Sequence, residues 1–379
     1  MENKKKILLL SSISVVIFLF FISWKFFPSI FSFSSLSSSY KNLYLLSKVI
    51  SYVKNEYIEE VNPIEVMRGA YRGIMESMGP FASYLQKDEV EKYEKIKKDL
   101  FGDVGILAIK RGVFFQVIGL IDDSPAEKHN IKVGDFINEV NGMPVHNLNF
   151  WELKLELTGL PDTDVKIKII KNHVKRPEEI VMKRKEIYKN PITFKVDEKN
   201  DIGIIKTRSL FPGTAIKFDN VLNKIYKKKI QKIVIDLRDT WEGEMKEGIE
   251  ISNLFLKKKK EIFLERNDGK KEYIKSKILN KFYDVSLIML INKATLGPGE
   301  IIPFLLKGEN LVKIVGDNSG GCAYDFRLFK LEDGSGIILP VNKIGLNSKY
   351  LSEEGVVPDS YEDFEDGKFI DKVYKYFEN

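Results

Sequence analysis

Ser286–Gly308, SLIMLINKATLGPGEIIPFLLKG, holds the pattern that decides the fold. SLIMLI is a short apolar run with the length of a buried strand. NKATLGPGE (Asn292–Glu300) is a turn sharpened by Gly and Pro, and EIIPFLLKG has helical character. Strand, sharp turn and helix start is a place where enzymes put a nucleophile. The turn exposes one side chain, and the helix N-terminus offers free N–H groups. Here the turn carries Gly297 and Pro298, and neither is a nucleophile. A second segment, GDNSGGCAYDF (Gly316–Phe326), answers it downstream.

Outward from this stretch the chain alternates strand and helix. DIGIIKTR from Asp201 is a strand, Thr214–Tyr226 is amphipathic, and KIVIDLRD is a buried strand ending in acid and base. Gly248–Leu256 and Glu300–Leu306 are expected as helices, with strands at Glu261–Glu265, Leu287–Ile291 and Leu311–Val315. Phe326–Leu331 and Ile337–Val341 form a hairpin about Asp333–Gly336. This order argues for an α/β layered core. Phe101–Ile187 differs, with short strands and turns, a capped helix at Ser124–Ile131, and a second helix, Phe150–Leu157. Before it, Tyr40–Tyr57, Ile64–Met78 and Lys87–Lys98 are helical, and Phe81–Leu85 is an extended bridge. There is no internal repeat.

The 379 residues carry 60 basic and 54 acidic side chains, a net charge of +6 spread over a mixed surface. That argues against a nucleic-acid face, and the lysine runs at 227–229 and 257–260 are solvated ends of elements. Cys322 is the single cysteine, so no intrachain disulfide forms. Lys4–Lys6 precede the apolar run Ile7–Trp24, and no small-x-small cleavage site follows it. This predicts an uncleaved signal anchor over residues 7–24, in preference to a cleaved signal peptide. Ser34–Ser39 is then a serine-rich spacer, and the bulk of the chain lies outside the cytoplasm.

GAYRGIMESMGPFASYL, GDVGILAI, SPAEKHNIKVGDFINEVNG, IGIIKTRSL, IVIDLRDTWEG and GVVPD together resemble the carboxyl-terminal processing peptidases. Those are serine peptidases with a Ser/Lys dyad and an inserted PDZ domain. The likeness covers nearly the whole chain after residue 40. It implies an α/β layered core of the ClpP/crotonase-like type, an inserted mostly-β PDZ domain, an N-terminal helical region and a membrane anchor. The implied boundaries are 1–39 for stub, anchor and spacer, 40–97 for the helical region and 98–188 for the PDZ domain. The peptidase-like core follows at 189–360 and a C-terminal helix at 361–379. The resemblance implies no cofactor and no metal.

The family's nucleophile stretch is similar to Asn292–Glu300, and its middle Ser falls on Gly297. At the family's spacing, the general-base Lys falls on Cys322 and the supporting Gln on Phe326. The oxyanion positions fall on Glu242, Gly243 and Pro298. A Ser hydroxyl attacks only when a base takes its proton, and Gly297 has no side chain to attack with. Pro298 has no N–H to donate, and a carboxylate at Glu242 would oppose developing negative charge if it faced the site. All three histidines (His129, His146, His173) lie in the PDZ-like stretch, so none serves the core. A buried, inert thiol is expected at Cys322. Two hydroxyls, Thr295 and Ser319, and two amines, Lys293 and Lys307, neighbour the site. Helix N-capping is the plain role for Thr295 and turn hydrogen bonding for Ser319.

The PDZ-like stretch implies peptide binding by Gly102, Asp103, Val104, Gly105 and Ile106 with Phe150, Leu153 and Leu157. The expectation is therefore a membrane-anchored pseudopeptidase. It would bind peptide or protein C-termini, pair with a partner protease or form a homo-oligomer. The alternative is an active peptidase with a displaced nucleophile.

Overall fold

The computed structural model describes residues 33–98, 101–172, 176–257, 262–274, 282–322, 324–346, 349–351, 354–364 and 369–378. The anchor expected over residues 7–24 and His173 lie outside the described residues. The chain divides into two compact units, 1–73 and 74–379.

In the first unit, helix α1 spans Phe33–Glu56. It takes in the serine run expected as a spacer. No Gly or Pro interrupts residues 33–62, and serine is only a mild helix opponent. No helix among the described residues is long and apolar enough to cross a membrane. Helix α2 (Pro63–Glu76) starts on a proline whose fixed φ suits a first turn, and Asn62 Oδ1 accepts the Ile64 N–H at 2.9 Å.

In the second unit, helix α3 (Lys87–Lys98) leads into an antiparallel sheet. Its strands are β1 (Ile106–Arg111), β2 (Phe114–Leu120), β3 (Phe136–Val140), β4 (Asp164–Ile170) and β5 (Glu178–Lys183), paired in that order. β2 and β4 alternate buried and partly or fully exposed residues, as a sheet with one covered face requires. The covering helix is α4 (Phe150–Leu157), started by a reciprocal capping box between Asn149 and Glu152. Leu153 and Leu157 turn into the core with Val104, Phe115, Ile137 and Ile167. Antiparallel bridges Gly102–Gly159 and Asp103–Lys185 close the base of this unit.

The second sheet is built on β6 (Ile192–Asp197), β7 (Ile202–Thr207), β8 (Lys232–Asp236), β9 (Ser286–Ile291) and β10 (Val312–Gly316). β7, β8, β9 and β10 are parallel neighbours, and β6 runs antiparallel at one edge. β8 and β9 are almost wholly buried, because both faces are covered. Helices α5 (Thr214–Lys227), α6 (Met245–Asn253) and α7 (Ile301–Lys307) serve one face, where Phe218, Leu222, Ile235, Met289 and Ile302 share a core. Ile204, Val234, Ile288 and Val315 face the other way, against Val373 of the C-terminal helix.

The C-terminal helix expected over 361–379 is shorter, Phe369–Tyr374. Ser360–Tyr361 is instead an edge strand beside Val315–Gly316, because the open edge of β10 accepts a parallel partner there. A third sheet joins Ser83–Leu85, β11 (Asp325–Lys330), β12 (Gly336–Leu346) and Ile262–Glu265. The hairpin expected at 326–341 is present, and β12 runs on to Leu346 to reach Ile262–Glu265.

Candidate functional site

β9 delivers the turn to the carboxyl ends of the parallel strands, where open α/β sheets hold their ligands. Asn292 pins it. Its Oδ1 accepts the Asp239 N–H at 3.2 Å and the Ala294 N–H at 3.1 Å, and its Nδ2 donates to Asp239 Oδ1 at 3.2 Å. Burial pushes the Asp239 carboxyl up to about 6, partly offset by Lys206 and Asn292.

Thr295 does not cap the helix. Its Oγ1 accepts the Asn292 N–H at 3.0 Å and donates to the Leu237 carbonyl at 2.9 Å, so the hydroxyl is fully used and buried. Leu296 holds the N-cap position without a side-chain cap, and a 3-10 turn, Gly297–Glu300, precedes α7.

Gly297 sits at φ +57°, the left-handed conformation that a nucleophile on such a turn also adopts. A side chain would have room there. A Cβ would stand 3.6 Å from the Cys322 carbonyl oxygen and 4.0 Å from that of Trp241. The geometry brings Gly297 and the Cys322 backbone side by side.

The Glu300 carboxylate ties the turn to the answering loop. It is fully buried and accepts the Gly297 N–H at 3.0 Å, the Cys322 N–H at 2.8 Å, the Gly321 N–H at 2.7 Å and the Ser319 hydroxyl at 2.6 Å. Burial raises its pKa, and these hydrogen bonds partly offset that. Ser319 Oγ also accepts the Val356 N–H at 2.6 Å, so this hydroxyl is used as well.

Cys322 is 2% exposed, and burial, then the neighbouring Glu300 charge, push its thiol far up. A thiol so placed is not a nucleophile. The amines considered from sequence lie elsewhere. Lys293 is 70% exposed and pairs with Asp317 at 3.5 Å. Lys307 pairs with Asp359 at 2.8 Å and donates to the Val357 carbonyl at 2.6 Å.

Phe326 stands in an aromatic group. Its ring meets Phe81 at 6.2 Å and Trp151 at 5.8 Å, and Phe81 meets Phe150 at 5.0 Å, all edge to face. These rings, with Trp241, Gly297, Pro298 and Cys322, line a cavity of about 930 Å3.

Glu242–Gly243 pair in parallel with Ser209–Leu210. Gly243 is needed there, because its φ is +125° and a Cβ would fall 2.2 Å from the Leu210 carbonyl carbon. The Glu242 carboxylate forms an ion pair with the Lys154 amine of α4. Lys154 and Glu242 are 21% and 12% exposed. Burial lowers the Lys154 pKa to about 8, against the opposing pull of Asp103. Asp103 is itself buried, its carboxyl raised by burial and its Oδ1 accepting the Gly105 N–H at 2.6 Å. Sequence reasoning missed Lys154. It sits in an apolar run, FWELKLEL, and its partner is far along the chain.

Of the residues expected to hold peptide, Gly102, Asp103, Val104, Gly105, Ile106, Leu153 and Leu157 are buried, and Phe150 lines the cavity. The groove between β1 and α4 is almost shut. It encloses about 20 Å3, and Trp241 and Glu242 are among the residues that line it.

Residues 201–361 match the model of "Peptidase family S41". The chain is 26% identical over 316 residues to carboxy-terminal processing protease CtpA of Bacillus subtilis (strain 168), covering 83% of this chain and 67% of that protein. It is 26% identical over 320 residues to CtpB of the same organism, covering 83% and 66%. The chain thus spans about two thirds of the length of these curated relatives. Among solved structures, the photosystem II D1 C-terminal processing protease shares the fold with a TM-score of 0.68 at 19% identity, over 83% of this chain and 85% of that one. Residues 201–361 thus carry the peptidase family S41 pattern, and the chain is similar in sequence to carboxy-terminal processing proteases and shares the fold of one.

Proposed function

We propose that this protein is a family S41 homologue that no longer cuts, and that it binds peptide or protein C-termini or a partner protease instead. One observation carries the reading. The turn that would present a nucleophile presents Gly297, beside the buried thiol of Cys322 and the ring of Phe326. Two hydroxyls of the turn and the answering loop, Thr295 and Ser319, are each held by two partners of the fold itself. The Gly297 N–H is taken by Glu300, and Pro298 has none, which leaves a developing oxyanion poorly served.

The antiparallel unit with its covering helix supports the PDZ reading of residues 98–188. Adding a peptide strand along β1 requires the groove between β1 and α4, lined in part by Trp241 and Glu242, to widen. The basic flank and apolar run ahead of α1 support a single-pass anchor over residues 7–24, with the rest of the chain outside the cytoplasm.

The test is incubation of the purified full chain with an unfolded protein, with products followed by mass spectrometry. The expected result is no fragments beyond the blank. Fragments that vanish on Thr295→Ala or Ser319→Ala would establish a displaced nucleophile instead.

A further inference from the structure

Among the described residues, Lys154 is the one partly buried lysine on the wall of the cavity beside Gly297. The others that reach the wall, Lys97 and Lys246, are exposed. Phe81, Phe150, Trp151, Trp241 and Phe326 supply rings to the same wall. The Lys154 amine touches the Glu242 carboxylate, and Asp103 acts on it through its charge. Asp103 is committed to its own loop, where Oδ1 accepts the Gly105 N–H at 2.6 Å. Burial favours the neutral form of an amine and brings Lys154 down to about 8, against about 10.4 for a lysine in water. A desolvated lysine in an apolar pocket is the form in which an amine attacks carbonyl groups. A carboxylate in contact with it is placed to move protons. An ion pair that served only to join α4 to Glu242–Gly243 would need no open space beside it. Here the space is about 930 Å3, within the range of roughly 300–1,000 Å3 usual for ligand clefts.

We propose that Lys154 is a covalent capture site, whose amine forms a protonated imine with an aldehyde carried on an apolar, ring-sized body. This goes beyond the peptide-binding reading and does not depend on it. Glu242 first takes one proton from the ammonium. The nitrogen lone pair then forms the C–N bond, the C=O π pair moves to oxygen, and a second nitrogen proton passes to that oxygen. Glu242 returns its proton to the new hydroxyl, the C–O bond breaks and water leaves. The cationic imine that remains is paired with the Glu242 carboxylate, so charge and atoms balance without an oxidant or reductant. The rings hold the apolar body while this happens. An aldehyde suits the site better than an anion does, because Glu242 and Asp103 already oppose a third negative charge at this amine. An amide is far less electrophilic than an aldehyde, so the same amine leaves peptide bonds intact.

The experiment exposes the full chain at about pH 7 to cuminaldehyde with sodium cyanoborohydride, which fixes each imine as a stable amine. Peptide mapping by mass spectrometry then gives the rate at every lysine. Lys154 is expected to be trapped at least about tenfold faster than exposed lysines such as Lys132 and Lys217. Cuminyl alcohol, the same body without the carbonyl, should slow trapping at Lys154 and nowhere else. Glyceraldehyde, a polar aldehyde, should show no preference for Lys154. Lys154→Arg keeps a cation against Glu242 and should remove the fast adduct from the intact mass. Glu242→Gln separates two roles. A mere counter-ion would, on removal, release the neutral amine and speed capture, whereas loss of the proton carrier should slow it severalfold. Trapping of Lys154 no faster than of exposed lysines would overturn the proposal. So would fast trapping that glyceraldehyde shares and the alcohol leaves untouched, or faster capture in Glu242→Gln.

Discussion

Two carboxylates near Gly297, Glu242 on the cavity wall and Glu300 buried behind the turn, are held in opposite ways. Glu300 has no cation beside it among the described residues, yet four donors from Gly297, Ser319, Gly321 and Cys322 converge on its two oxygens. Glu242 has a cation, Lys154, as its one partner among the described residues. The first arrangement is a weld. Removing the carboxylate strands four donors at once, three of them buried. The second is a contact between two side chains on the cavity wall. In this molecule the number and origin of the partners decide which acid is structure and which is available. Charge pairing does not decide it.

The largest expected effect breaks the weld. Glu300→Ala should destabilise the protein by about 3–5 kcal/mol, the usual cost of leaving buried partners unmet. Urea unfolding of the second unit's fluorescence measures it. Loss of under 1 kcal/mol would mean that the loop is held elsewhere.

Lys154→Gln should cost less, about 2–3 kcal/mol, since its partners keep some access to water. Restoring neutrality with Glu242→Gln in the same chain should recover part of the loss. A double variant worse than the single one would show that the pair is not the unit of stability.

The third prediction sharpens the comparison with an acid on the neighbouring loop. Asp239 carries a folded pKa of about 6, above its ordinary 3.8. The folded state therefore binds the extra proton more tightly, and stability from this group is full below about pH 4 and falls as pH rises through 6. Asp239→Asn should leave stability at pH 4 nearly unchanged and raise it by about 2–3 kcal/mol at pH 7, the two-unit rise reduced by the partial exposure of the group. Thermal melts at the two pH values test this, and an equal effect at both would contradict it.

The smallest effect is at Gly297. Gly297→Ser should cost only about 1–2 kcal/mol, because the left-handed backbone penalises a side chain that the space itself allows. It should bring no proteolysis, as Cys322 offers no base to the new hydroxyl.

What the sequence carries of this site follows from how local each feature is. The strand, turn and helix of Ser286–Gly308 are written in adjacent residues and recur in the structure as β9, the 3-10 turn and α7. Gly297, Cys322 and Phe326 converge because spacing along a fixed topology carries over between relatives. The Lys154–Glu242 contact has no such signal. It joins a helix of the antiparallel unit to a loop of the parallel core, and each residue alone looks like an ordinary surface charge. Thr295 was expected as a cap because Ser and Thr before a helix often are. The turn instead folds its hydroxyl back on Asn292 and Leu237. The edge strand at Ser360–Tyr361 is similarly invisible, since two residues gain strand geometry only from the waiting edge of β10.

The central claim is that no group in this cavity attacks a peptide bond. The most direct measurement is incubation of the full chain with a mixed peptide library in heavy-oxygen water, with mass spectrometry of every carboxyl terminus. Any hydrolysis writes the heavy isotope into the terminus it creates. The account predicts labelling equal to the protein-free blank at all times. Labelled termini that accumulate with protein concentration, and stop doing so when a hydroxyl lining the cavity is removed, would contradict it.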